Sequence, residues 1–175
     1  CLPDDHDVGQ ANLWGAGGKL ADSSRGISGG YYMPVAYVQE VERAQTSHLP
    51  DPYDPTPVQR GIGVYYTHLN WGGISFAIIE DRKFKSGLEG LAEQLPDIFP
   101  NGPYEAVFDS TIDSRRFDLP DATLLGQRQL DFLEDWTTDW KDAEMKSVLS
   151  QTIFALVNNY TGKHDRQIYA DFDTN

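Results

Sequence analysis

Cysteine is nearly missing from this 175-residue chain; Cys1 stands alone, so no disulfide forms within it and the redox compartment stays unread. Basic residues are scarce too. Fourteen Lys and Arg face 27 Asp and Glu, a formal net charge of −13. That balance argues against a nucleic-acid partner and against anionic membrane surfaces, both of which are held mainly by Lys and Arg. An anionic substrate would need locally placed cations, metal ions among them. No apolar run approaches the length of a membrane span, no internal repeat is evident, and the opening lacks a signal-peptide pattern. The histidines, His6, His48, His68 and His164, form none of the close pairs of a compact zinc centre. No Ser-His-Asp or Cys-His arrangement can be argued, and "GAGGK" lacks the spacing and hydroxyl of a phosphate-cradling loop.

What is present is a foldable core. Hydrophobic residues make up 39% of the chain and aromatics 12%, including four Trp, which suits one globular domain. Cys in place of Met at the start, and the unmarked end "YADFDTN", suggest an internal piece of a longer protein. In "YYMPVAYVQEVERAQ", Pro34 suits a first helical position, and Val35, Val38 and Val41 repeat every three residues. The proline-rich "SHLPDPYDPTP" excludes a central element. "GIGVYYTHLNWGGISFAIIEDRKFK" reads as two antiparallel strands joined at Trp71-Gly72-Gly73, the second, Ile74 to Ile79, buried. Leu88, Leu91, Leu95 and Ile98 predict one amphipathic helix; Leu130, Leu133, Trp136 (or Thr137) and Trp140 predict another. The β-branched content of "MKSVLSQTIFALV" favours a buried strand. Strands interleaved with helices point to a layered α/β domain.

Three stretches carry possible chemistry. "PDDHD" offers carboxylates and an imidazole, the donors hard metal ions take, although on spacing alone an exposed acidic turn is the simpler reading. Arg82, flanked by Glu80 and Asp81 at the end of the apolar strand, is either a phosphate or carboxylate clamp or a rim arginine paired with its neighbours. The terminal "DFDTN", with Asp173 at its centre, matches the first positions of a calcium loop, but an ordinary strand-end turn explains it better. Cys1 reads as a small apolar residue on a strand tail rather than as a thiolate ligand or a lipid anchor.

Taken in order along the chain, several motifs resemble one family. "PDDHDVGQANLWG" resembles the Asp-Asp-His-Glu/Asp-Val stretch of PhoD-like alkaline phosphatases, members of the calcineurin-like metallophosphoesterase superfamily. "FAIIEDRKFKSG" resembles that family's strand ending in Asp-x-Arg-x-Tyr-Arg, with Glu80 and Phe84 standing where the pattern has Asp and Tyr. "LLGQRQLDFLEDW" is similar to its Leu-Gly-x-x-Gln-x-x-x-Leu helix, "SVLSQTIFA" to the strand that follows, and "DRQIYADFDTN" to the approach to its Trp-Asp-Gly-Tyr region.

The resemblance implies a fold, a reaction and a site. The fold would be part of a four-layer α/β/β/α metallophosphatase sandwich, spanning residues 1–175 and truncated at both ends. The reaction would be metal-dependent hydrolysis of phosphate mono- or diesters. Asp5 would ligate metal, His6 would act on the phosphoryl transition state or the leaving oxygen, and Arg82 would contact phosphate. Asp4, Asn12 and Glu80 would contact substrate or support these groups. Calcium and iron(III) are the metals the resemblance suggests, and a periplasmic or secreted location fits it. The family's upstream Ser-Cys and Gly-Asp segments and its downstream Gly-Asp-x-His segment, which carry several metal ligands, have no counterpart in these 175 residues. The alternative is a non-catalytic, acidic calcium-binding or interaction domain.

Overall fold

Two glycines set the first pairing. A computed structural model describes residues 2–9, 20, 30–85, 94–98, 100, 116, 120 and 123–151. Within it, β1 (Thr67–Trp71) and β2 (Ile74–Ile78) pair antiparallel, from Trp71 opposite Ile74 to Thr67 opposite Ile78. Only Gly72 and Gly73 separate them, with φ of 58° and 79°. Positive φ at both turn positions is the type I′ pattern, whose twist matches the flanking strands, and glycine adopts it without steric cost. The expected hairpin is therefore present. Ser75, Ala77, Ile78 and Ile79 are buried, and Ile74 and Phe76 half-buried.

The third strand, β3 (Met145–Leu149), pairs parallel with β2 and completes a mixed sheet in the order β1-β2-β3. The segment expected as a buried strand, 145–157, is thus a strand over these residues, while 152–157 lie outside the described residues. Burial is where it differs. Met145, Val148 and Leu149 are exposed, because among the described residues β3 has a neighbour on one side only.

Helices cover the sheet and its margin. A single turn, α1 (Asp5–Val8), precedes α2 (Val35–Thr46) and α3 (Gln127–Thr138). In α2, Val38 is buried and Val35 and Val41 pack beside it, as the three-residue spacing predicts. Pro34 lies one residue outside the helix; its ψ of 156° is extended, so it starts the helix from the cap position. In α3 the buried face is Gln129, Phe132 and Trp136, not the expected Leu130–Trp140 stripe. Leu130 is exposed, Leu133 only partly buried, and Trp140 lies beyond the helix with 54% of its surface exposed. Of the other expected helix, Leu88 and Leu91 fall outside the described residues. Leu95 and Ile98 are buried in a turn closed by the Ile98 N–H donating to the Leu95 carbonyl at 3.0 Å.

Two apolar clusters result. Phe132 and Trp136 pack on Val64, Tyr66, Ala77 and Ile79, joining α3 to one sheet face. Tyr53, Tyr66 and Phe132 form an aromatic triangle with centroids 5.0–5.9 Å apart. Each such pair adds about 0.5–1.5 kcal/mol beyond area burial. Val8, Tyr31, Val38 and Ile62 form the second cluster, and Phe84 packs against both. Phe84 is thus an apolar bridge between the clusters.

A Cβ at Gly73 would meet nothing within 4 Å, so substitution there probes backbone conformation alone. Gly73→Val should destabilise the chain by about 1–2 kcal/mol, the cost of a left-handed L-residue, while Gly73→Asn should cost less. Urea unfolding of both variants measures the difference; equal losses would mean that conformation does not set the turn.

Candidate functional site at the carboxyl ends of β2 and β3

Because β2 and β3 are parallel, their carboxyl ends lie on one sheet edge, where open α/β sheets collect ligands. The Ile79 N–H donates to the Leu149 carbonyl at 3.1 Å, just past the end of the β2–β3 ladder. Among the described residues, Glu80 pairs with no strand. Gln129 of α3 pairs with it instead. The Glu80 N–H donates to Gln129 Oε1 at 2.9 Å, and Gln129 Nε2 donates to the Glu80 carbonyl at 2.6 Å. The same amide reaches the Leu125 carbonyl at 3.0 Å, so a glutamine only 1% exposed is satisfied.

The Glu80 carboxylate folds back over the next turn. Its Oε1 accepts the N–H groups of Arg82 at 3.0 Å and Lys83 at 2.9 Å, while Oε2 has no partner among the described residues. Burial raises the Glu80 pKa above its usual value, against the opposing Lys83 charge and the two backbone donors. Lys83 is itself buried; its ammonium bonds the Glu42 carboxylate of α2 and donates to the Gly63 carbonyl at 2.9 Å. Tyr31 O–H donates to the Lys83 carbonyl at 3.4 Å. Its phenol is held far above the ordinary range by burial first, then by Glu80 and Glu42.

The N-terminal acidic stretch docks on this edge at two points. Arg82 Nε lies 3.3 Å from Asp4 Oδ1, and the Gln151 amide donates to the Pro3 carbonyl. Asp7 accepts the Asp4 N–H at 2.8 Å and closes the entry to α1. Thus the Asp4 and Arg82 segments, 78 positions apart in sequence, meet at the sheet edge. The first leads into a helical turn, α1, whose entry the Asp7–Asp4 bond caps; Leu2 and Pro3, read as part of a strand tail, lie in no strand, and Cys1 lies outside the described residues. The backbone of Asp5 and His6 lies in that turn; their side chains, with Asn12 and Asp173, lie outside the described residues.

Several participants were not singled out from sequence: Gln129, Lys83, Glu42 and Tyr31. Gln129 carried a readable signal, since it stands three residues before Phe132 and seven before Trp136, on the apolar face. A polar residue on such a face needs a buried partner.

The carboxylates described here are engaged by Arg82, by backbone N–H groups and, for Asp81, by the Ser150 hydroxyl. Among the described residues no group of three or more His, Cys, Asp or Glu is placed to hold a metal ion. These residues alone do not fit a metal centre. What they do form is a charged, largely buried turn that aims one arginine at the N-terminal acidic segment.

A raised carboxyl pKa favours folding below the ordinary value of 4.5 and loses that contribution as pH rises through the folded value. Glu80→Gln keeps an acceptor for both N–H groups and removes the charge. The variant's stability relative to wild type should therefore rise as pH increases above 4.5. Thermal unfolding of both proteins from acid to neutral pH measures this, and a pH-independent difference would rule it out. Comparison with known protein families, with curated proteins and with solved structures finds no match, so the reading of this site rests on its residues and geometry.

Proposed function

We propose that this chain forms part of a metal-dependent phosphoester hydrolase of the PhoD-like kind, within a four-layer α/β/β/α sandwich. One observation carries the reading. The two stretches that resemble separate motifs of that family, around Asp4–His6 and around Glu80–Lys85, adjoin through the Asp4–Arg82 pair at one sheet edge. A glutamine from a third resembling stretch, Gln129, supports the same turn.

In this reading Arg82 binds the phosphate oxygens, oriented by Asp4. His6 supplies or receives the proton at the ester oxygen, or stabilises the developing charge on the phosphoryl group. Glu80 holds the Arg82–Lys83 backbone in place and leaves substrate contact to Arg82. Asp5 is the one metal ligand the reading assigns to this chain; the remaining ligands belong to the segments carrying the family's other motifs. Calcium and iron(III) are the metals to test.

The experiment is turnover of p-nitrophenyl phosphate and its bis-ester by the full-length protein, with metal content measured alongside. His6→Ala should lower kcat by about 10²-fold or more with little change in bound metal. Asp5→Ala should lower bound metal, and Arg82→Ala should raise KM. Absence of phosphatase turnover at every metal tested, or a His6→Ala variant as fast as wild type, would overturn the proposal.

A further inference from the structure

A second site lies at the other end of the sheet, away from Arg82. A cleft of about 180 Å³ opens between β1 and the C-terminal half of α3. Its wall is aromatic, built from Tyr53, Phe132 and Trp136, and Tyr53 is half exposed. Asp135 and Asp139 also line it and stand four residues apart, one helical turn. Each uses one carboxylate oxygen internally. Tyr53 O–H donates to Asp135 Oδ2 at 3.2 Å, and the Lys141 N–H donates to Asp139 Oδ1 at 3.0 Å. The second oxygen of each accepts no hydrogen bond among the described residues. The His68 imidazole, exposed on the β1 side of the cleft, likewise has no side-chain hydrogen bond or ion pair among them.

The chemistry of this end of α3 is cation-binding. Lys146, from β3, already places its ammonium 4.6 Å from the Trp136 ring centre and 4.8 Å from that of Trp140. That ammonium also donates to the Trp136 carbonyl and, at 2.6 Å, to the Asp139 carbonyl. Aromatic faces, carbonyls at a helix C-terminus and carboxylates all favour positive charge. The chain's net charge of −13 adds a general attraction. A bare metal ion is the wrong occupant, because His68, Asp135 and Asp139 are not gathered to hold one. The cleft is also smaller than a drug-sized site, commonly about 300 Å³ or more.

We propose that this cleft binds an organic cation, a guanidinium or alkylammonium group, between the Asp135 and Asp139 carboxylates and the Tyr53 and Trp136 rings. Lys141, exposed on the rim, and Lys146, already 4.6 Å from the Trp136 ring centre, oppose it by charge. The site is independent of the phosphoester reading and is tested without turnover.

The test is titration of the protein with ethylguanidinium and with a short neutral-flanked peptide containing one arginine, following the His68 imidazole and Trp136 indole NMR signals. Ethylurea and the citrulline peptide are the uncharged controls. Saturable shifts with the cations alone are expected. The Asp135→Asn, Asp139→Asn double variant should raise Kd by about five-fold or more, and Lys141→Ala should lower it. Both aspartates are exposed, so the double variant keeps the core, and circular dichroism checks this. Tighter binding of the peptide would assign the cation to a polypeptide side chain; equal binding would assign it to a small amine or guanidine. Non-saturable shifts, equal shifts with the uncharged controls, or an unchanged Kd in the double variant would overturn the proposal.

Discussion

The side-chain amide of Gln129 pairs with the backbone just past the end of β2. Glu80, two residues past the end of β2, is buried, and among the described residues its backbone groups pair with no strand. Gln129 supplies a donor and an acceptor in the spacing a neighbouring strand would present. Leaving either backbone group unsatisfied would cost about 1–3 kcal/mol. The pairing also ties α3 to the sheet edge at a second kind of contact, beyond the packing of Phe132 and Trp136 on Ala77 and Ile79. From this anchor the chain turns, Glu80 captures the next two N–H groups, and Arg82 is directed toward Asp4.

Charge burial at this edge favours definition over stability. Lys83 bonds Glu42 on α2 while Glu80 lies close enough to oppose its own desolvation through the Lys83 charge. Removing charges from water costs several kcal/mol per ion, so an apolar replacement could pack as well or better. What the ion pairs contribute is registration: α2, the turn after β2 and the Gly63 segment share one partner, Lys83. A polar turn held this way keeps Arg82 beside the N-terminal segment without a long loop.

The legible parts of the sequence were those whose signal is local. Trp71-Gly72-Gly73-Ile74 declares a hairpin because only positive-φ residues close it, and the apolar run to Ile79 declares a central strand. The Val35–Val38–Val41 spacing marks the buried face of α2. Reading was harder where tertiary partners decide. Leucines at 130 and 133 suggest a core stripe, yet α3 turns Phe132 and Trp136 inward because Tyr66 and Tyr53 offer aromatic surface there. The apolar residues of β3 suggest burial, but among the described residues β3 has a neighbour on one side only and they are exposed. At the site, the ambiguity over Arg82 was between a free clamp and a paired rim arginine. Its partner, Asp4, comes from 78 positions away, and no local pattern encodes that pairing.

Amide hydrogen exchange at Glu80 tests the central claim most directly, that Gln129 completes the sheet edge and fixes the turn. In wild type the Glu80 N–H should be protected to the same degree as the Ile79 N–H, which bonds Leu149 across the sheet. In Gln129→Leu, a substitution of similar volume, protection at Glu80, Arg82 and Lys83 should fall while Phe76 and Ala77 keep theirs. Rapid exchange at Glu80 in wild type, or unchanged protection in the variant, would contradict the account.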